Sequence, residues 1–228
     1  MCGVIGYYAR DGGDVLHEVV NGLFQMQHRG QDACGVALSD GRRLRVHKGL
    51  GYVQEVFRDR PYPDFQGHLA IGHVRYPTQG GNRLGNAQPH VVSTLDGQVM
   101  AMCSNGDLTN YWHIRDQLEG AGIEFVGTND AELLLKHTAY WHIRAGLPLV
   151  DALRITQRDV LGAYSACLMT RDALYAMRDP YAVRPLAFGG DDGHWVVASE
   201  TEALDIARVD LIDEVDAGEI VRFDGHSL

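Results

Sequence analysis

No apolar run in the chain approaches the roughly 18 residues that a membrane-spanning helix requires, and no charged leader with an apolar core opens it. Cysteine is sparse: Cys2, Cys34, Cys103 and Cys167 are the only 4, they lie far apart, and none forms a C-x-x-C pair. That spacing predicts neither a zinc site nor a disulfide framework, so no metal and no cofactor is expected, and the cytoplasm is the expected compartment. Basic charge is also short. The 20 Lys and Arg residues against 30 Asp and Glu give a formal charge of -10, which repels phosphate backbones and anionic bilayers unless a local patch intervenes. The densest basic cluster, Arg42-Arg43-Leu44-Arg45 with His47 and Lys48, alternates along a strand-like segment and reads as a solvated face. Neither nucleic acid nor a membrane is expected as a partner. With no repeat, no low-complexity tract and no Pro-, Gly- or Ser-rich linker, residues 1–228 read as one domain.

What is present is an ordinary folding composition, 45% hydrophobic and 22% charged over 228 residues, enough to bury a sizeable core without staples. Cys2 to Tyr8 reads as a strand beginning at the very end of the chain. Leu16, Val19, Val20, Leu23 and Phe24 follow with helical spacing, and that helix is expected to end near Gly30. Strands are expected at Cys34–Leu38 and Leu44–His47 around an Asp40-Gly41 hairpin, at Leu69–Val74, and at Val91–Thr94 and Gln98–Cys103 around Asp96-Gly97. The Pro- and Gly-bearing stretch from Tyr76 to Pro89 is expected to be a functional loop and the candidate moving part. Capping boxes at Asn129/Glu132 and Ser199/Glu202 announce two helices, with others over Asn110–Leu118 and Leu149–Val160. Strands at Tyr164–Met169, Ala173–Met177, Leu186–Phe188, Trp195–Ala198 and Glu219–Phe223 close the chain. Hairpin-linked strands interrupted by pairs of helices predict an α+β fold with antiparallel sheets.

Four positions offer chemistry. Cys2 would carry a thiol and a free α-amine on one residue once Met1 is removed, a nucleophile and a base with pKa values of about 8.5 and about 7.7 to 8.0; otherwise it is a small apolar residue at a strand edge. Asn105-Gly106 offers a side-chain amide and a backbone N–H for an oxyanion, or else a common turn. Arg75, ending an apolar strand, can grip a carboxylate in bidentate fashion or form an ordinary ion pair. Asp130, in a helix's first turn, can receive an ammonium or simply answer the helix dipole. Together they describe a site for an amino acid bearing a side-chain amide, glutamine or asparagine.

At these residues the chain resembles the class II, N-terminal-nucleophile glutamine amidotransferases, and most closely the glutaminase domain of amidophosphoribosyltransferases. The matching segments are Met1-Cys2-Gly3-Val4-Ile5-Gly6, Gln27-His28-Arg29-Gly30-Gln31-Asp32-Ala33, Gly72-His73-Val74-Arg75-Tyr76-Pro77-Thr78, Asn86-Ala87-Gln88-Pro89, Asn105-Gly106-Asp107-Leu108-Thr109-Asn110, Arg178 to Leu186 and Ala198-Ser199-Glu200. They run in family order over essentially the whole chain. The resemblance implies a four-layer αββα fold with two stacked antiparallel sheets. It makes Cys2 the nucleophile, Asn105 and the Gly106 N–H the oxyanion hole, Arg75, Thr78 and Asp130 the binders of L-glutamine, and Arg29 a support for the nucleophile. Gln31-Asp32 and Arg184-Pro185 are read as scaffold.

The implied reaction is hydrolysis of L-glutamine to L-glutamate and ammonia through a Cys2 thioester. Two departures qualify it. The family's usual His-Asn-Gly-Asn-Leu is Ser104-Asn105-Gly106-Asp107-Leu108 here, so a carboxylate stands where negative charge develops, and a catalytically weakened regulatory module is one alternative. An N-terminal-nucleophile hydrolase of other amides is another, though it has no need of both Arg75 and Asp130. No phosphoribosyltransferase domain is expected within the 228 residues, because no acidic pair in a Thr- and Gly-rich phosphate loop occurs. The acceptor of ammonia is therefore expected on a partner subunit, as in glutamate-synthase-like enzymes such as N-methylglutamate synthase, and an oligomer is compatible with that arrangement.

Overall fold

In the computed structural model, residues 1–59, 64–76, 81, 83–95, 97 and 99–224 are described. The chain runs through β1 (Gly3–Ala9), α1 (Leu16–Gln25), a 3-10 turn (Met26–Arg29), β2 (Ala33–Ser39), β3 (Leu44–Leu50), α2 (Val53–Val56), β4 (Leu69–Arg75), β5 (His90–Ser93) and β6 (Val99–Leu108). It continues through α3 (Tyr111–Gly120), α4 (Asp130–Ala139), α5 (Leu149–Asp159), β7 (Gly162–Met169), β8 (Leu174–Arg178), β9 (Ala187–Gly190), β10 (His194–Ala198), α6 (Glu202–Ala207), β11 (Leu211–Glu214) and β12 (Ile220–Phe223).

Every residue of β1 is buried because the strand is central and both its faces are covered. Strand alternation sends Ile5, Tyr7 and Ala9 to the side of α1 and α6, where they pack with Leu16, Val19, Leu23 and Leu204, and sends Val4 and Tyr8 to the other side, among Ile71, Cys103, Cys167 and Leu174. The first sheet has the order β11-β9-β10-β1-β4-β2-β3 and the second β12-β8-β7-β6-β5, and each described strand pair is antiparallel. On the outer face of the second sheet, Met100, Met102 and Leu108 of β6 pack with Ile114 of α3, Leu134 of α4 and Leu153 of α5. Helices, sheet, sheet and helices make the four layers the resemblance implies. Among the described residues no helix is long and apolar enough to cross a membrane.

Several local expectations change. β6 continues to Leu108, so Asn105-Gly106 is strand and not turn, because β7 pairs with it as far as Leu108↔Gly162. Ser199 caps no helix: its hydroxyl accepts from the Val4 N–H at 3.0 Å, joining β10 to β1, and α6 begins after Thr201. At α4 only half of the box forms. The Glu132 N–H donates to Asn129 Oδ1, while the Glu132 carboxylate turns to the N–H groups of Val126 and Gly127, both at 2.7 Å. The basic cluster is no solvated face throughout. Arg45 pairs with Asp40 and Asp64, and Lys48 turns inward to donate to the carbonyls of Ala87 at 2.5 Å and Pro89 at 3.1 Å. In the expected Asp96-Gly97 turn, Asp96 and the following Gln98 lie outside the described residues. β11, whose residues are all exposed, has no apolar alternation strong enough to announce it.

Candidate active site

β1 lies between β10 and β4, and its first residue is preceded by Cys2, which is thereby delivered to the edge of β6. The Cys2 N–H donates to Asn105 Oδ1 at 3.2 Å. Its carbonyl accepts from Arg29 Nε at 2.9 Å, and Arg29 Nη1 is held in turn by Glu200 at 2.6 Å. The thiol faces the backbone of Tyr76, whose N–H points to Sγ at 3.4 Å and whose carbonyl lies 3.6 Å away. Burial raises the Cys2 thiol pKa; the Tyr76 backbone bond, the amino terminus and the Arg75 guanidinium oppose it, and Asp130 adds to it. Arg75 ends β4 buried at the same place. Gly30 is needed for that arrangement, since a Cβ there would overlap the Arg75 backbone.

The hydrogen-bonding edge of β6 decides where Gly106 points. Gly106 stands opposite Tyr164 of β7, yet both backbone groups of Tyr164 are taken by Asp179: its N–H donates to Asp179 Oδ2 at 3.1 Å and its carbonyl accepts from the Asp179 N–H at 2.9 Å. This is therefore a non-hydrogen-bonded pair, and the Gly106 N–H is directed away from β7. The same edge carries the N–H groups of Ser104, which donates to Gln88 Oε1 at 2.7 Å, and of Leu108, whose N–H acts to lower the Asp130 pKa. Beside it, Asn105 Nδ2 is buried with no hydrogen-bond partner among the described residues. Asn105 is thus tied to residue 2 through its Oδ1, and Gly106 lines the same cleft as Cys2; a side-chain amide and a backbone N–H are the kinds of donor an oxyanion needs.

Cys2, Arg75, Gln88, Gly106, Asp107 and Asp130 line one cleft. Burial, followed by the charge of Asp107, pushes the Asp130 pKa up to about 6, against the opposing Leu108 N–H and the Arg184 guanidinium. A Cβ on Gly106 would lie 3.3 Å from Asp130 Oδ2 and 3.2 Å from Ser104 Oγ, so glycine keeps this floor open. The structure brings together Cys2, Arg29, Arg75, Asn105, Gly106 and Asp130; Thr78 lies outside the described residues. Among the described residues no group of three or more His, Cys, Asp or Glu side chains is placed to hold a metal ion.

The Tyr76 to Pro89 loop is better fixed than expected where it is described. Leu84–Asn86 is a 3-10 turn, and Asn86, Ala87, Gln88 and Pro89 are buried. Asn86 Oδ1 accepts from the Thr128 N–H at 2.8 Å, and Asn129 Nδ2 donates to the Asn86 carbonyl at 3.2 Å, tying this segment to the start of α4 and hence to Asp130. Sequence reasoning assigned no role to Gln88 or Glu200; the only signal for either was its place in a matching segment.

The glutamine amidotransferase domain family matches residues 80–206, a span that contains Asn105, Gly106 and Asp130 but begins after Cys2 and Arg75. The amidophosphoribosyltransferase of Methanocaldococcus jannaschii is 35% identical over 221 residues, covering 97% of this chain and 46% of that protein. That of Mycobacterium tuberculosis is 40% identical over 228 residues, covering 98% of this chain and 43% of that protein. Among solved structures, the glutamine phosphoribosylpyrophosphate amidotransferase from B. subtilis superposes with a TM-score of 0.88 at 33% identity, over 98% of this chain and 47% of that one. The chain spans about half the length of the curated relatives it matches.

Proposed function

This chain belongs to the class II glutamine amidotransferases, and we propose that it hydrolyses L-glutamine to L-glutamate and ammonia through a thioester on Cys2. The observation that carries the proposal is one cleft lined by Cys2, Arg75, Gly106 and Asp130, with Asn105 bound to the Cys2 N–H beside it and its own Nδ2 buried without a partner among the described residues. With Met1 attached, the Cys2 nitrogen is an amide and cannot act as a base. Met1 is exposed, accessible to removal, and the amine so released takes the thiol proton. Sγ then attacks the side-chain amide carbon of glutamine, and the oxygen's new negative charge is received by Asn105 and Gly106. Collapse breaks the C–N bond, the amine returns its proton to the leaving ammonia, and water hydrolyses the thioester to glutamate and free thiol. Arg75 takes the substrate α-carboxylate and Asp130 its α-ammonium, Thr78 belongs to the same substrate loop, and Arg29 holds residue 2 in place through its carbonyl.

The relatives' name supports a further step, delivery of the ammonia to an acceptor site on another domain or on a partner subunit, which the proposal places outside residues 1–228. Ammonia is mostly protonated near neutral pH and so a poor nucleophile once it reaches water, which favours a shielded transfer and weak hydrolysis by this unit alone. The cytoplasm is the proposed compartment, since Cys34, Cys103 and Cys167 are unpaired thiols of the kind a reducing environment preserves; cell fractionation checks it. The central test is incubation with L-glutamine, following glutamate and ammonia together with the intact mass of the protein. Active protein is expected to lack Met1, and full activity in protein that retains Met1 would overturn the mechanism.

The Asp130 carboxyl must be ionised to bind an ammonium. With its pKa raised to about 6, the ionised fraction falls about tenfold per pH unit below that value. The KM for glutamine is therefore expected to rise steeply as pH drops through 6, while kcat at saturation is not limited by this group. Asp107→Asn removes a charge that raises that pKa, so the inflection should move to lower pH. A KM that stays flat between about pH 5 and 8 would contradict the assignment of Asp130.

A further inference from the structure

We propose that Gln88 is a positioning residue for the oxyanion donors, its side-chain amide standing in for a missing neighbour strand on β6; the inference rests on the glutaminase reading above. The last pair between β5 and β6 is His90↔Met102, so beyond it, among the described residues, no strand lies beside the outer edge of β6. Ser104, two residues further, would expose a buried N–H and a buried carbonyl there. Gln88 satisfies both: the Ser104 N–H donates to its Oε1 at 2.7 Å, and its Nε2 donates to the Ser104 carbonyl at 3.2 Å. These are the two bonds a paired strand residue would make. His73 Nε2 adds a second bond to the same carbonyl at 3.2 Å, and burial keeps that imidazole neutral, its pKa pushed down to about 3.

The consequence falls on the next donor of that edge. With the Ser104 N–H taken by Gln88, the Gly106 N–H two residues on, turned away from β7, belongs to the edge that borders the cleft, and Asn105 lies between the two. Gln88 is itself clamped. Lys48 Nζ, reaching across from β3, donates to the carbonyls on either side of it, Ala87 at 2.5 Å and Pro89 at 3.1 Å, and Gly35 leaves room for the Gln88 carbonyl where a Cβ would overlap it. Removing the amide leaves Ser104 with a buried unpaired donor and acceptor, and β6 relaxes by turning that edge, which misaligns Gly106 and Asn105 together.

The test compares Gln88→Met, which keeps the length and loses both bonds, with Lys48→Met, which loosens the segment without touching the Gln88 side chain. Each full-length variant is assayed for kcat and KM with L-glutamine and for the rate at which iodoacetamide alkylates Cys2, a displacement that forms no oxyanion. A small misplacement of catalytic groups costs up to about a hundredfold, so kcat is expected to fall roughly ten- to a hundredfold. KM should stay within about threefold and the alkylation rate within about twofold, for the reason that only the transition state uses these donors. A purely structural role would move all three together, and that result, or a rise in KM with kcat unchanged, overturns the proposal for Gln88 and leaves the glutaminase reading intact. If Cys2→Ala hydrolyses glutamine as fast as the unmodified chain, the glutaminase reading falls and this inference with it.

Discussion

Replacing Cys2 with alanine is expected to lower glutamine turnover by about 10³-fold or more, the largest effect of any single substitution in this chain. Without Sγ there is no thioester, and the remaining donors can only assist direct attack by water. The fold should be nearly indifferent to the change, because residue 2 is tied in by its backbone, its N–H to Asn105 and its carbonyl from Arg29, and the thiol adds only long contacts with the Tyr76 backbone. Circular dichroism and the thermal midpoint should match those of the parent protein. A glutamine-like electrophile gives an independent reading. Cys34, Cys103 and Cys167 are fully buried, whereas Cys2 is half-buried and lines the cleft, so a single adduct is expected on residue 2, and excess glutamine should prevent it. Adducts on the buried cysteines, or an adduct unaffected by glutamine, would count against Cys2 as the nucleophile.

Asn105→Ala should cost about 10²- to 10³-fold in kcat, the usual consequence of losing one oxyanion donor, with a much smaller change in KM. Its Nδ2 has no ground-state partner among the described residues, so what is lost is a bond formed only as negative charge develops. Asn105 Oδ1 also receives the Cys2 N–H, and loosening residue 2 places the loss toward the upper end of that range. Arg75→Ala makes the informative contrast. A carboxylate clamp acts on substrate and transition state alike, so its removal should appear mainly in KM. Initial rates over a range of glutamine concentrations separate the two outcomes. If Asn105→Ala changes only KM, the oxyanion assignment is wrong, and if Arg75→Ala changes only kcat, the clamp is wrong.

Much of this architecture was legible from the chain. Local patterns act over a few residues, and they suffice where the determining partner is near: the helical spacing of Leu16, Val19 and Leu23, the Asp40-Gly41 hairpin, and Asn129 capping α4 through the Glu132 N–H. The candidate residues were legible too, since Cys2 and Arg75 are reactive or charged side chains at the ends of an apolar strand, Asp130 opens a capped helix, and these with Asn105-Gly106 stand beside or within segments that resemble a known family. The same local reading failed wherever the partner was distant. It ended the strand at Cys103 and left a turn open as the other reading of Asn105-Gly106, whereas pairing with strand β7 holds that dipeptide extended. It made Ser199 a cap because a glutamate follows three residues later, whereas the hydroxyl serves Val4, 195 positions away.

The sequence by itself determined which residues could carry the chemistry and, through residue type and spacing that set propensity and amphipathic faces, an α+β fold with antiparallel sheets; the stacking of two sheets between helices was what the resemblance implied. Only the tertiary structure decided how those residues act together. The Cys2 N–H meets Asn105 across 103 positions of chain, the Gly106 N–H turns away from β7 because Asp179 has already taken both backbone groups of Tyr164, and burial beside Asp107 raises the pKa of Asp130. Hydrogen-bond direction and desolvation are properties of what packs around a group. No window of neighbouring residues contains them.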